Sequence, residues 1–216
     1  MAEPSYIAVE GVIGVGKTSL ARILSERLKS RLLLERHDEN PFLAEFYRDR
    51  ARYAFQTQMF FLFSRYEQQK ELRQRDLFEQ RVVADYLFQK DRIFASINLT
   101  DKELRLYELI AAAIEPEIPK PDIVVYLQAP TETLMKRIQK RGRPYESEMS
   151  FEYLEQLNEA YNYFFFHYEQ APLLVVNTRD IDFVENEADQ GDLVHRILEH
   201  GEGVAYYAPL GHGDGA

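Results

Sequence analysis

The fold of this chain is decided by a short stretch near its amino terminus, GVIGVGKT at residues 11–18. The stretch matches the pattern G-x-x-x-x-G-K-[ST] and stands between an apolar run, Tyr6 to Glu10, and an amphipathic segment, Lys17 to Leu28. In this setting the glycines let successive backbone N–H groups turn toward one anion, and the start of the helix adds partial positive charge. We therefore predict a strand, a phosphate-binding loop (P-loop) and a helix. The residues predicted to bind the phosphates are Gly11, Val12, Ile13, Gly14, Val15, Gly16, Lys17, Thr18 and Ser19.

Two residues at the end of the motif carry its chemistry. Lys17 is expected to reach the β- and γ-phosphate oxygens of ATP, and Thr18 to bind Mg²⁺. A P-loop alone does not separate a switch GTPase, a motor ATPase and a small-molecule kinase. A GTPase also needs a guanine-reading N-K-x-D segment, which the sequence lacks. The choice between the other classes depends on the remaining motifs.

Four further apolar runs repeat the pattern of a buried strand followed by helical sequence. Because nearly all their residues are apolar, both faces of the sheet must be covered, as in a parallel sheet. We predict one α/β domain over residues 1–200, with a five-stranded parallel sheet covered by helices on both faces, and a flexible tail over residues 201–216. The four runs are Leu32 to Leu34, Val82 to Ala84, Ile123 to Leu127 and Leu173 to Val176.

Composition limits the classes of function. A net charge of −10 argues against the broad basic face of a nucleic-acid-binding protein. No apolar run approaches the roughly 20 residues that span a bilayer, and the amino terminus lacks a basic secretory signal. The absence of cysteine excludes disulfides and thiolate metal sites. We expect a cytoplasmic protein with neither a membrane nor a nucleic-acid partner.

Two carboxylates follow predicted strands, at the edge of the sheet where the carboxyl ends of parallel strands meet. Asp85 follows the run Val82 to Ala84, where it can hold Mg²⁺ or simply cap the next helix. Glu35 follows Leu32 to Leu34, where a general base would take a proton from a substrate hydroxyl.

Three arginines cluster in the segment RIQKRGRP at residues 137–144. Arg137 and Arg141 are four residues apart and share one helix face, and Arg143 follows just beyond Gly142. In an acidic chain this arrangement suggests a mobile clamp, or lid, that offsets the charge of a transferring phosphoryl group. A solvated basic helix end, favoured by the helix dipole, is the alternative.

The segments around these motifs resemble the deoxynucleoside kinase family, specifically its bacterial branch that acts on purine deoxynucleosides. The resemblance covers the chain from Tyr6 to about Leu198 and is far more specific than the P-loop. It implies the P-loop kinase fold and ATP-dependent phosphorylation of the 5′-hydroxyl of a deoxynucleoside, for nucleotide salvage. The segments that carry it are Ala8-Val9-Glu10-Gly11, Glu35, Glu39-Asn40-Pro41-Phe42, Phe46-Tyr47, Gln58, Ser64-Arg65, Asp85-Tyr86, Asp91-Arg92-Ile93-Phe94-Ala95, Glu146 and residues 177–183.

The resemblance implies roles in the acceptor pocket. Glu35 resembles the general base of the family, Gln58 the amide that reads the nucleobase edge, and Arg65 an arginine near the base and the 5′ end. Gln58 and Arg65 are seven residues apart, two helical turns, so they can face the same pocket. Tyr47 and Glu146 look like the pair that holds the sugar 3′-hydroxyl.

On the donor side, the cluster of Arg137, Arg141 and Arg143 resembles the family's arginine-rich lid. The loop around Asp182 and Phe183 resembles the one that packs on the ATP adenine.

One position departs from the family pattern. Many members carry an acidic residue, an arginine and a serine after the third strand, whereas this chain has Asp85-Tyr86-Leu87. Asp85 can still bind Mg²⁺ and line the acceptor site, but Tyr86 replaces the arginine next to the reacting hydroxyl. Charge stabilisation there must come from Arg65 or the lid.

Three alternatives remain beside a purine deoxynucleoside kinase. A deoxycytidine or broad-specificity kinase is open because the amide of Gln58 pairs equally well with adenine, guanine or cytosine edges. A nucleoside monophosphate kinase fits less well, since Glu35 would repel a phosphorylated acceptor. A non-catalytic nucleotide switch would leave Glu35, Gln58 and the lid unexplained.

Two predicted helical stretches, Pro41 to Gln74 and Phe151 to Gln170, are dense in Phe and Tyr. Helices that are apolar on more than one face are normally buried on more than one face. Either they lie deep in the core or one of them faces a second subunit, and we expect a homodimer with a helix–helix interface. The resemblance points the same way.

Overall fold

The computed structural model describes residues 3–73, 81–179, 181 and 183–208. Its centre is a single sheet in which every strand pairs in parallel with its neighbours. The strands are β1 (Tyr6–Gly11), β2 (Arg31–Leu33), β3 (Val82–Ala84), β4 (Ile123–Gln128), β5 (Leu173–Asn177) and β6 (Val204–Tyr207). Their order is β2-β3-β1-β4-β5-β6. The predicted α/β fold with a parallel sheet is confirmed, whereas the predicted count of five strands is wrong, because there are six.

Helices flank this sheet in the described part of the chain. They are α1 (Lys17–Leu28), α2 (Leu43–Arg48), α3 (Arg50–Arg73), α4 (Lys90–Asn98), α5 (Asp101–Ile114), α6 (Thr131–Arg141), α7 (Phe151–Phe166) and α8 (Glu187–Glu199). The first predicted aromatic stretch therefore forms two helices, since Asp49 leaves helical geometry with φ −140° and ψ 82°.

The core is built around the two central strands. Every residue of β1 is buried, as are the first five of β4, because helices cover the sheet. Ile7 pairs with Val83 on one side and with Ile123 on the other, and all three side chains are fully buried. Burial of one such side chain contributes about 1.5–3 kcal/mol to folding. This packing fixes the strand ends from which the functional loops leave.

The sixth strand lies in the segment that was expected to be a flexible tail. Val204–Tyr207 pairs along β5, with Leu173 opposite Val204, and the Tyr207 hydroxyl donates to the Asp192 carboxylate of α8. The strand is at the edge of the sheet and only Tyr207 is buried, so its sequence lacks the continuous apolar run of the central strands. The remainder of the predicted tail, residues 209–216, lies outside the described residues.

Three loops meet at one edge of the sheet. The P-loop follows β1, Glu35 lies two residues beyond β2, and Asp85 directly follows β3. Because these strands are neighbours in the order β2-β3-β1, the three loops are side by side. None of the described helices is long and apolar enough to cross a membrane.

Candidate active site

The loop after β1 has the backbone geometry of a phosphate cradle. Gly11, Gly14 and Gly16 have φ of 151°, 87° and 109°, in the region that favours glycine. A Cβ on Gly11 would lie 2.5 Å from the carbonyl oxygen of Leu127, so a larger residue cannot occupy that position unchanged. Helix α1 starts directly after the loop without a side-chain cap, which leaves its first N–H groups free to bind an anion.

Lys17 is held over this cradle. Its ammonium donates to the carbonyl oxygens of Gly11 at 2.6 Å and Val12 at 3.2 Å. Burial, together with the positive charge of Lys90, lowers the pKa of Lys17 to about 8. A buried ammonium of this kind is stabilised by added negative charge, so phosphate oxygens are suitable partners.

A cleft of about 730 Å³ opens beside the loop. Ser19 lines it next to the P-loop, and Phe183, which is buried, forms part of its wall. Asp182, also expected near the adenine, lies outside the described residues. The cleft can neutralise a polyphosphate, because it is lined by the basic side chains of Lys17, Arg137, Lys140, Arg141, Arg143 and Arg179.

Thr18 and Asp85 form an oxygen-rich corner between this cleft and the acceptor pocket. The Thr18 hydroxyl donates to one Asp85 oxygen at 2.6 Å, and the backbone N–H of Glu35 donates to the other at 2.8 Å. A hydroxyl next to a carboxylate suits Mg²⁺, which binds to one or two protein oxygens and completes its shell with phosphates and water. The described residues contain no group of three or more His, Cys, Asp or Glu side chains that would form a complete protein cage.

Glu35 lies in a second, smaller pocket and is paired with two cations. One carboxylate oxygen accepts from Arg65, at 2.7 Å from Nε and 2.6 Å from Nη2, and the other accepts from Lys90 at 2.8 Å. Burial alone would raise the pKa of Glu35, but the charges and hydrogen bonds of Lys90 and Arg65 outweigh it and hold the pKa well below its usual range. Glu35 is therefore a carboxylate at every pH relevant to activity.

Helix α3 contributes the polar floor of this acceptor pocket. Arg65 extends from Glu35 to the Asp91 carboxylate and lies over the Phe61 ring at 4.8 Å. Gln58, seven residues earlier, donates from Nε2 to the backbone oxygen of Asp91 at 2.8 Å. Both side chains line the same pocket, as their spacing indicated. The bond to Asp91 uses one donor of the Gln58 amide and orients the side chain.

The opposite wall joins the pocket to the lid. Glu146 is buried, and both of its oxygens accept from Arg141, at 2.6 and 2.7 Å, while Arg143 lies 3.7 Å away. Tyr47 stacks on Tyr145, and burial raises its pKa well above the usual value, so its hydroxyl keeps its proton. Arg141 and Arg143 line both cavities and so lie between them.

Arg137 behaves differently from the other two arginines of the cluster. It lines only the donor cleft, where it donates to the backbone oxygen of Val15 at 3.2 Å and to Thr178 at 3.1 and 3.0 Å. Its guanidinium therefore joins the P-loop to the loop after β5.

Two charged residues of this region were not singled out from the sequence. Lys90 is the first residue of α4. Its only signal in the sequence is its place just after the apolar residues Leu87 and Phe88. Glu10 is fully buried at the end of β1, and its carboxylate accepts from the backbone N–H groups of Gly11 and Leu87, at 2.8 and 2.7 Å, and from the Tyr161 hydroxyl at 3.3 Å.

Tyr86 stands at the position where the family pattern has an arginine. It is fully buried in the core and does not line the acceptor pocket. Two cations contact Glu35 instead: Arg65, and Lys90, which lies four residues after Tyr86.

Comparison with known proteins agrees with this geometry. The family model described as deoxynucleoside kinase matches residues 7–201. A deoxyguanosine kinase from Bacillus subtilis (strain 168) is 39% identical over 200 residues, which cover 90% of this chain and 95% of that protein. A deoxyadenosine/deoxycytidine kinase from the same organism is 30% identical, over 89% of this chain and 91% of the relative. The solved structure of a deoxyadenosine kinase from M. mycoides with bound dATP matches with a TM-score of 0.78 and 26% identity, over 89% of this chain and 98% of that one.

Proposed function

The chain belongs to the deoxynucleoside kinase family, and we propose that it transfers the γ-phosphoryl group of ATP to the 5′-hydroxyl of a purine deoxynucleoside. One observation carries the proposal. The Glu35 carboxylate lies in a pocket that Lys17 and Thr18 of the P-loop also line, so a hydroxyl bound to Glu35 would face the end of a bound triphosphate. The pocket has the donors and acceptors for a sugar and a base on its walls.

In the proposed reaction, the 5′-oxygen forms a bond to the γ-phosphorus as the bond to the β-phosphate oxygen breaks and ADP leaves. The hydroxyl proton passes to Glu35. Because the pKa of this carboxylate is held low, it is a weak base, so it mainly orients the hydroxyl and accepts the proton late in the transfer. Lys17, Arg141 and Arg143 offset the charge on the phosphoryl oxygens. Mg²⁺, held by Thr18 and Asp85, would add charge neutralisation on the phosphates.

The sugar and base sites follow from the same pocket. Tyr47 and Glu146 are proposed to hold the 3′-hydroxyl, one as a donor and the other as an acceptor. Gln58 and Arg65 are proposed to contact the base. On the donor side, Arg137, Asp182 and Phe183 are proposed to flank the nucleotide.

The purine preference is supported by the relatives rather than by the pocket. The Bacillus subtilis relative with 39% identity is named a deoxyguanosine kinase, and another relative is named a deoxyadenosine/deoxycytidine kinase. Because a fixed Gln58 amide can pair with several base edges, a broader specificity that includes deoxycytidine is the second candidate. We propose a cytoplasmic reaction, where ATP and salvaged deoxynucleosides meet.

The test is a turnover panel of deoxyguanosine, deoxyadenosine, deoxycytidine and thymidine with ATP and Mg²⁺. We expect the highest kcat/KM for one of the two purines. A similar value for deoxycytidine would favour the broader enzyme, and turnover of deoxynucleoside monophosphates alone would contradict the proposal. Omission of Mg²⁺ should abolish turnover without unfolding the protein.

We also propose that the enzyme is a homodimer. The aromatic side chains of Tyr163 and Phe166 on α7 are 71% and 79% exposed, which is unusual for such large apolar groups. They lie beside a groove of about 830 Å³ between α4 and α7, lined in part by Ile97 and Phe164. No predicted site residue lines this groove, so a second copy could cover it without blocking the nucleotide sites.

A further inference from the structure

A buried lysine at the start of α4 is not accounted for by the P-loop or the lid. The side chain of Lys90 is 4% exposed, and its ammonium lies 2.8 Å from one oxygen of Glu35. It lines the acceptor pocket together with Glu35 and Lys17. A buried ammonium is costly unless it is paired, so its position in this pocket calls for an explanation.

The two cations on Glu35 are arranged differently. Arg65 holds one oxygen of the carboxylate, but the other end of its guanidinium is bound to Asp91, so Arg65 belongs to the floor of the pocket. Lys90 approaches the other oxygen from α4. A carboxylate held at one oxygen can still swing about that contact, whereas one held at both oxygens by groups from two different helices has a fixed plane.

The orientation of this plane matters for the reaction. A general base must present a lone pair to the hydroxyl within hydrogen-bond distance, and a displacement of about 1 Å can reduce a rate by about 10²-fold. The position after Asp85, where many family members carry an arginine, is occupied by the buried and neutral Tyr86. Among the residues that line the described pocket, Lys90 is therefore the second cation, beside Arg65, that holds the Glu35 carboxylate.

We infer that Lys90 is a positioning residue for phosphoryl transfer, which acts by fixing the Glu35 carboxylate against the acceptor hydroxyl. The inference rests on the proposed function of Glu35 and deepens it. It assigns the second cation on the Glu35 carboxylate to α4 rather than to the position of Tyr86. It also explains why a lysine is buried at this point.

The test compares Lys90→Met, which keeps the length of the side chain and removes its charge, with Lys90→Arg, which keeps the charge. Lys102→Met on the exposed face of α5 is the matched control. We expect Lys90→Met to lower kcat by roughly 10- to 100-fold while KM for the deoxynucleoside changes by less than about threefold, because the alignment of Glu35 in the transition state is lost rather than a contact to the nucleoside. Lys90→Arg should recover part of kcat, and Lys102→Met should match the wild type.

A double-variant cycle shows whether Lys90 acts through Glu35. With Glu35 already changed to Gln, the further change Lys90→Met should lower kcat by no more than about threefold, since two residues that act as a unit are not additive. Multiplicative losses would overturn the inference, as would a folded Lys90→Met enzyme with normal kcat. If Lys90→Met alone does not fold, a loss of more than about threefold from Glu35→Gln to the double variant still overturns the inference, and Lys90→Arg supplies the single-variant loss in the presence of Glu35. Wild-type turnover in the same assay tests the proposed function separately.

Discussion

The donor side and the acceptor side of this site are built in different ways. The phosphate cradle of the donor side is made by nine consecutive residues, 11–19, through glycine geometry and free backbone N–H groups. The acceptor side is made by side chains from separate segments, tied together by ion pairs such as Arg65 to Glu35 and Lys90 to Glu35. The backbone cradle suits any polyphosphate, whereas we propose that the ion-paired pocket determines which hydroxyl reacts.

The largest effect is expected on the donor side. Lys17→Ala removes the only P-loop side chain predicted to reach the transferring phosphate, so it should abolish most turnover while the fold stays intact. Steady-state kinetics measures turnover, and circular dichroism measures whether the fold is intact. A folded variant with near-normal kcat would mean that the backbone cradle is sufficient by itself.

The next effect tests the acceptor side. Glu35→Gln can still orient the hydroxyl but cannot accept its proton, so kcat should fall by roughly 10²- to 10⁴-fold, with the lower end favoured by a loose transition state. Nucleoside affinity should change much less. Because the pKa of Glu35 is held low, the wild-type kcat should show no loss from this group between about pH 7 and pH 5. If kcat stays within about threefold and only affinity is lost, Glu35 is a binding residue and Asp85 becomes the first candidate base.

A smaller effect should appear in the pH dependence of ATP binding. The pKa of Lys17 is lowered to about 8 by burial and by neighbouring Lys90, so in the free enzyme the ammonium loses its proton as pH rises through this value. Bound phosphates favour the charged form, so ATP binding at about pH 8.5 should take up a proton, and affinity should fall at most about tenfold per pH unit above the pKa. Calorimetry in two buffers with different heats of ionisation measures the uptake. Lys17→Ala should abolish it, and an unchanged signal in that variant would assign the proton to another group.

The smallest effect on turnover is expected for the exposed aromatic side chains of Tyr163 and Phe166, which belong to neither side of the site. Sedimentation should give a species of about 50 kDa, twice the 25.4 kDa chain. Tyr163→Ser with Phe166→Ser should shift it toward the monomer and leave kcat within about threefold. Leu109→Ser on α5, at a side chain that is 73% exposed, is the matched control. A wild-type protein that sediments only as a monomer at micromolar concentration would contradict the proposed dimer.

The sequence predicted the features that depend on residues close together in the chain. The P-loop, the apolar central strands and the shared pocket of Gln58 and Arg65 depend on contiguous residues or on a helical repeat, which a single sequence displays. Strand β6 was missed because an edge strand half exposed to solvent lacks the continuous apolar pattern of a buried one.

Contacts between distant parts of the chain could not be predicted in the same way. Lys90 is 55 residues from Glu35, and nothing in the sequence indicates that α4 turns its first residue toward the end of β2. The separate position of Arg137 depends on where the loop after β5 passes, which its spacing from Arg141 does not reveal. Side-chain pairing of this kind is set by tertiary packing.

The buried carboxylate of Glu10 joins the two sides that have been contrasted. It accepts hydrogen bonds from Gly11 in the P-loop, from Leu87 in the segment that leads to Lys90, and from Tyr161 on α7. A replacement that cannot accept three hydrogen bonds would leave buried donors unpaired in all three segments at once. A change at Glu10 is therefore expected to disturb the P-loop and the acceptor pocket together. At this position, nucleotide binding and substrate choice cannot be altered independently, whether the enzyme diverges or is engineered.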